Sequence, residues 1–268
     1  MGPQQGSFLK VKLQLWASSL AFHPTPPSQA AAAVQGLGLS GIEFLCEPPW
    51  TPDRWTPEVV EQARRSPLRW SLHAPVSDLH LLSLVPQVQK ATQQVLERTV
   101  DLAEKLGAQT VNFHLGLRSL MGLGSSGDDA KAQTFAKALN RKARRARVTL
   151  TLENDPPLPG AHLADLQNFA RWLGELEIPG TLDLGHAWLA HGPKLLELLP
   201  TVLPYLHAVH LHDNRGAWDE HLALGEGSIP WPELWPLLRA IPVLVVEAKD
   251  EGALRKSLDS ICGLEQGH

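Results

Sequence analysis

The sequence predicts an α/β protein, a single (β/α)8 TIM barrel, and three observations predict it. Its 268 residues suit one such domain. Short β-rich runs recur between longer helical patterns, about 30 to 40 residues apart, as βα units require. The first run enters Ala17-Ser18-Ser19-Leu20-Ala21, which lacks the glycine-rich phosphate loop of an open doubly wound sheet. The closed barrel is therefore preferred.

In chain order, the first strand is read over Lys12–Trp16 and the second over Gly41–Phe44, with the proline-rich stretches 24–27 and 48–57 as loops. The third and fourth, Arg69–His73 and Thr110–His114, enclose the clearest helix. From Pro86 to Leu106, Val88, Ala91, Val95, Leu96, Val100, Leu102, Ala103 and Leu106 follow helical spacing, and Gly107 stands at the C-cap. The remaining strands are Thr149–Glu153, Gly180–Asp183, Ala208–His212 and Val243–Glu247. Helices are expected around 129–146, 163–176, 194–200, 231–240 and 252–265, and 156–159 is a loop. No repeat or domain boundary appears. Residues 1–10 are expected to be disordered or loosely attached, and 11–268 to form the catalytic barrel.

An apolar fraction of 43% is ordinary for a globular core. No apolar run spans a bilayer, and the opening MGPQQGSFLK lacks the regions of a signal peptide, so a cytoplasmic protein without a membrane partner is expected. Cys46 and Cys262 are too few for a disulfide scaffold and are read as small hydrophobes. A net charge of −4 offers phosphate no general attraction. Twelve histidines, however, are many for this length.

Their placement carries the chemistry. Six successive strands deliver imidazole or carboxylate to one rim: His73, His114, Glu153, Asp183 with His186, His210 with His212, and Glu247. These are the ligand types of hard and borderline divalent cations. A single such residue is more often a structural hydrogen-bonding group. Several carboxylates converging on a barrel mouth would instead repel one another without a cation between them. Asp219 and His221 alternate in an extended segment after the seventh strand and can point the same way. Gly225 and Gly227 then permit a tight return.

These residues resemble the xylose-isomerase-like barrel superfamily, which includes sugar and sugar-phosphate isomerases and epimerases together with endonuclease IV. The resemblance covers almost the whole chain. Its most specific portions are LHAP at 72–75, DLGHA at 183–187 and HLHDNRG…DEHLALGEGSIPW at 210–231. The sugar branch implies one divalent ion on Glu153, Asp183, His210 and Glu247. There Glu153 and Glu247 act as acid and base, and His186 and Arg215 contact substrate. Glu43 and the His212-Asp213-Asn214 run also look like that branch, which adds Glu43 and His212 to the substrate set. The endonuclease IV branch implies three zinc ions on His73, His114, Glu153, Asp183, His186, His210, Asp219, His221 and Glu247. All nine positions are filled here.

Departures favour the sugar branch. Trp16-Ala17-Ser18-Ser19 stands where endonuclease IV proteins have a glycine- and histidine-rich DNA-engaging strand end, and Asn154-Asp155-Pro156-Pro157 replaces a Thr-Ala-Gly run. Trp16, Trp50, Trp55, Trp188 and Trp218 fall near strand ends, where sugar rings could stack on them, although loop packing explains them equally well. Lys137, Arg141, Lys142, Arg144, Arg145 and Arg147 lie at the far end of the fourth helix, away from the rim, and are read as a solvated face. The expected function is thus a metal-dependent isomerase or epimerase of a small sugar or sugar phosphate. It would use one to three ions of manganese, zinc, cobalt or magnesium. Cleavage of abasic DNA is the alternative; nucleic acid is the disfavoured partner class, and a homodimer is compatible.

Overall fold

The structure, a computed structural model, describes residues 14–120 and 127–266. The segment expected to be loosely attached lies outside them. Eight parallel strands close into a barrel in sequence order, each paired with its chain neighbours and β8 with β1. They are β1 (Gln14–Ser18), β2 (Gly41–Leu45), β3 (Arg69–His73), β4 (Thr110–Phe113), β5 (Thr149–Glu153), β6 (Gly180–Asp183), β7 (Leu206–Leu211) and β8 (Val243–Val246). Around them run α1 (Pro27–Gly36), α2 (Pro57–Arg64), α3 (Pro86–Leu106), α4 (Gly127–Arg145), α5 (Leu166–Leu176), α6 (Leu184–His191), α7 (Leu195–Val202), α8 (Trp231–Leu238) and α9 (Glu251–Gln266). No described helix is long and apolar enough to cross a membrane.

Side-chain alternation divides the strands sharply. Ile42, Phe44, Leu72, Val111, Leu150, Leu182, Val209, Leu244 and Val246 face outward and belong to one apolar core shared with the helices. The inward faces are mostly polar. They carry Glu43, Ser71, His73, Asn112, Thr151, Glu153, Asp183 and His210, all buried. Barrel interiors are ordinarily filled by branched apolar side chains. Among the described residues, Trp16, Ala208, Val243 and Val245 form the apolar cluster found inside it.

Within the described residues β1 runs on to Ser18, past the expected end at Trp16, which lies in mid-strand opposite Gly41 and Val245. Its indole is 1% exposed and fills the barrel interior, which overturns the expectation that it stacks on substrate. A Cβ at Gly41 would meet that ring at 2.4 Å, so the missing side chain is what admits it. β7 carries one extra residue: Gly180 pairs with Leu206 and Thr181 with Ala208, leaving His207 as a bulge. The shift aims His210 and His212 inward.

Helices α1 and α2 stand partly where loops were expected, because each starts on a proline. Pro27 and Pro57 occupy first-turn positions, where a missing N–H costs nothing, and Thr56 caps α2. The unexpected α6 starts on Asp183, whose carboxylate accepts from the His186 N–H at 2.7 Å. That cap fixes the spacing of two site residues. The basic end of α4 precedes β5 and so lies at the bottom of the barrel, opposite the rim; Lys142 there pairs with Asp101 at 2.7 Å.

Candidate metal centre

The strand ends converge as the alternation requires. His210 is the hub: its Nδ1 lies 3.3 Å from Glu153 Oε1, 3.7 Å from Glu247 Oε2 and 3.9 Å from Asp183 Oδ2. Both ring nitrogens are buried without a hydrogen bond, although Glu43 Oε1 approaches Nε2 to 2.7 Å off the bonding direction. A buried nitrogen ringed by three carboxylates has an obvious missing partner, a cation. Glu153, Asp183, His210 and Glu247 thus fit a divalent ion by donor chemistry.

Two further groups adjoin this one. His73 Nε2 and His114 Nε2 each lie 3.2 Å from Glu153 Oε2. His186 Nε2 and His221 Nε2 each lie 3.2 Å from Asp219 Oδ2. All nine ligands implied by the resemblance are therefore brought together, in three linked groups.

Four of these histidines share one arrangement. Their Nδ1 atoms face acceptors: Ala74 O at 2.8 Å for His73, Asp155 Oδ1 at 3.2 Å for His114, Asn154 O at 3.0 Å for His186 and Glu247 O at 3.4 Å for His221. Donation from Nδ1 leaves the Nε2 lone pair free and aimed at a carboxylate. This is how metal-binding imidazoles are held. Glu43 stands on the Nε2 side of His210, itself anchored by Ser71 Oγ at 2.7 Å.

The electrostatics of the donor set agree. Burial alone would lower the histidine pKa values, but neighbouring carboxylates outweigh it. The Glu153 charge, with bonds to Asp155 and Glu153, lifts His114 to about 10. The bond and charge of Asp219 lift His221 to about 9. Burial would raise the carboxylates, yet the charges of His114 and His210 hold Glu153 well below its ordinary value. The His186 and His212 charges bring Asp183 to about 2. Protons on imidazoles occupy the place a cation would take.

Asp219 and His221 arrive on the long β7–α8 connection, which is organised by buried Asp213. Its Oδ1 accepts from Asn214 N at 2.9 Å and Ile229 N at 3.2 Å, and its Oδ2 from Gly225 N and Trp231 Nε1, both at 2.9 Å. A Cβ at Gly227 would meet Asp213 Oδ1 at 2.2 Å, so that glycine permits the close return.

Four expected substrate residues are placed elsewhere, among them His212, which is fully buried and does not line the cavity. Trp16 is core. Glu43 is 2% exposed behind His210 and does not line the cavity. Arg215 is largely exposed, pairs with Glu220 at 2.6 Å and does not line the cavity. Of the other tryptophans, Trp55 packs edge-on to Phe44 at 5.0 Å and Trp218 is 75% exposed. Asp155 and Asn112, which bonds Glu153 Oε2, were not anticipated. Each stands two residues from a recognised ligand, so strand alternation was the available signal.

The groups open into a cavity of about 340 Å³, walled by His73, His114, Glu153, His186, Asp219, His221 and Glu247. Leu20, Leu45, Val76, Leu117 and Leu158 form an apolar side. Among the described residues, no lysine or arginine lines it.

Comparison with known proteins gives a consistent outcome. The family described as xylose isomerase-like TIM barrel matches residues 31–264. The uncharacterized protein MJ1614 of Methanocaldococcus jannaschii is 29% identical over 182 residues, covering 63% of this chain and 66% of that protein, just under two thirds of its length. The probable endonuclease 4 of Mycobacterium ulcerans is 29% identical over 254 residues, covering 87% and 97%. Among solved structures, a D-tagatose 3-epimerase-like protein superposes with a TM-score of 0.83 at 21% identity, covering 95% of this chain and 97% of that one. Endonuclease IV from Thermus thermophilus does so with 0.74 at 20% identity, covering 95% and 100%. At these identities the structures establish a shared fold.

Proposed function

The chain belongs to the xylose isomerase-like TIM barrel family, and from that premise we propose that it is a divalent-metal-dependent isomerase or epimerase of a small polyhydroxylated carbonyl compound. One observation carries this function. The ligand groups face a cavity of about 340 Å³ that contains both Glu153 and Glu247 and no lysine or arginine among the described residues. That volume suits a small molecule. A DNA backbone or a sugar phosphate would call for cationic side chains beside the chemistry, so an unphosphorylated sugar is preferred.

Glu153, Asp183, His210 and Glu247 would hold the ion. When bound, it polarises the carbonyl and offsets the negative charge that develops there. The two glutamates move the proton, and they differ in constraint. Glu153 is bonded by His73 and Asn112. The Glu247 carboxylate makes no hydrogen bond among the described residues and is the freer base. The apolar wall excludes water from the carbon acid.

The test is to incubate the metal-loaded protein with ketoses in D2O and follow deuterium entry beside the carbonyl by NMR. Exchange that chelator abolishes supports the proposal; no exchange across a panel of pentuloses and hexuloses overturns it. Endonuclease IV-like hydrolysis is a second reading, favoured by the pairing of His73 and His114 on one oxygen of Glu153. Chelator-sensitive cleavage of an abasic duplex would establish it.

A further inference from the structure

Beyond the ligand His73, the β3–α3 connection sets a second histidine, His80, against the cavity wall. It is not among the nine ligand positions. It pairs with no carboxylate among the described residues, whereas each ligand histidine pairs with at least one. Its hydrogen bonding is also reversed. Four ligand histidines turn Nδ1 to an oxygen and so donate from it. His80 Nδ1 instead accepts the Leu117 N–H at 3.0 Å. A ring nitrogen that accepts an N–H carries no proton of its own, so the ring proton of His80 stands on Nε2. That atom makes no hydrogen bond among the described residues.

The imidazole is held from both sides. The His80 N–H donates to Thr92 Oγ1 of α3 at 3.0 Å, and the Leu81 N–H to Leu115 O at 2.9 Å. Gly116 has a φ of +74°, and a Cβ there would fall 2.0 Å from Leu79 O and 2.8 Å from His80 Nδ1. The glycine is what lets the β4–α4 connection close on the ring.

Little else in the cavity can donate. Outside the nine ligands, the polar side chains that line it among the described residues are Ser77, His80 and Asp155. Ser77 Oγ donates to Glu47 Oε1 at 3.1 Å. Asp155 keeps one oxygen on His114 and the other on the His162 and Leu163 N–H groups. His80 Nε2 is the side-chain donor that neither the loop structure nor the ligand groups engage.

We propose that His80 is a substrate-binding residue of this site, donating from Nε2 to one hydroxyl oxygen of the substrate. This rests on the reading that a small polyhydroxylated compound occupies the cavity. One neutral donor beside Leu117 suits a hydroxyl, whereas a carboxylate or phosphate would call for a cation. Because His80 belongs to none of the ligand groups, the oxygen it binds is one the metal does not hold. It therefore distinguishes sugars by the hydroxyl placed there.

Two variants separate this role from a purely structural one. Asn sets an oxygen near the Nδ1 position and keeps an acceptor for Leu117, but has no donor at the Nε2 position. Gln reaches the Nε2 position with its amide and lacks the Nδ1 acceptor. Deuterium exchange by the zinc-loaded protein is followed with the ketose that wild type exchanges fastest. His80→Asn is expected to raise KM about 2- to 10-fold, the net worth of one hydrogen bond. The loss should fall on KM rather than kcat, as for uniform binding, and His80→Gln should recover most of it. A His80→Asn protein with the wild-type KM overturns the proposal, since the bond to Leu117 would then be the whole role of His80.

A second measurement needs no variant to fold. In 15N spectra of the zinc-loaded wild type, His80 Nδ1 is recognised by its coupling to the Leu117 amide across their hydrogen bond. The proton is expected on Nε2, and the Nε2 signal is expected to shift on adding xylitol, a polyol that cannot react. A proton on Nδ1, or an Nε2 unmoved by xylitol and by the ketoses, overturns the proposal. A wild type that exchanges no ketose defeats the isomerase reading instead, and the Nε2 response still decides for His80.

Discussion

His114 and Asp155 meet through Nδ1 and Oδ1 at 3.2 Å, and this contact sets which imidazole nitrogen faces Glu153. The other carboxylate oxygen of Asp155 is held by the His162 and Leu163 N–H groups at 3.1 and 2.9 Å. Asp155 therefore transmits the position of the β5–α5 connection to a candidate metal ligand. Loss of such an outer partner typically costs 10- to 100-fold in metal affinity. Asp155→Asn is expected to weaken zinc binding at the His73–His114–Glu153 group by about that factor. Chelator competition measures it, and an unchanged affinity would remove Asp155 from the site.

Gly41 faces Trp16 across the β1–β2 pair, where an added Cβ would lie 2.4 Å from two indole carbons. The ring is enclosed by Ala208, Val243 and Val245 and has no free side to move into. Gly41→Ala should therefore destabilise by roughly 1–3 kcal/mol through overpacking. Urea unfolding followed by tryptophan fluorescence tests this. A variant as stable as wild type would mean that the interior around Trp16 is not tightly filled.

Strand ends were readable where they carry chemistry. β3, β5 and β6 were anticipated residue for residue because His73, Glu153 and Asp183 close runs of alternating side chains. The barrel itself was legible from the βα spacing. Trp16 was misjudged because the depth of a residue in a barrel depends on pairing with β2 and β8, and one strand does not carry that register. Arg215 was misjudged because a loop can turn a side chain either way; here its pairing with Glu220 decides. Asp155 is a different case. It follows Glu153 at the strand interval of two, and alternation continuing past the last ladder bond would have exposed it.

Metal and protons compete for the same nitrogens, which gives stability a defined pH dependence. Burial would lower His114 and His221, but the carboxylates Glu153 and Asp219 lift them to about 10 and about 9, above the ordinary 6.5. In the metal-free protein their contribution is complete below about pH 6.5 and fades as pH rises through about 9 and 10. Asp183 behaves oppositely: lowered to about 2 from 3.8, it contributes above its ordinary value and ceases as pH falls through about 2. Zinc requires the histidines deprotonated, so binding releases protons and tightens with pH. The rise in Tm on adding zinc should be greater at about pH 8.5 than at about pH 6. A pH-independent rise would mean that these histidines are not ligands.

Glu153 and Glu247 should separate metal binding from proton transfer. Glu153 contacts four histidines, at 3.2 Å to His73 and His114, 3.3 Å to His210 and 3.9 Å to His186. Among the described residues Glu247 reaches two, His210 at 3.7 Å and His221 at 3.8 Å, and it borders the cavity. Glu153→Gln removes the charge that joins two ligand groups and should release most of the bound metal. Glu247→Gln should retain more metal, yet lower turnover of the sugar about 10²- to 10⁴-fold, the usual contribution of a positioned base. Elemental analysis alongside deuterium exchange distinguishes the two effects. Equal metal loss in both variants would make Glu247 chiefly a ligand. Normal exchange in Glu247→Gln would exclude it as the base and leave Glu153 to carry the proton alone.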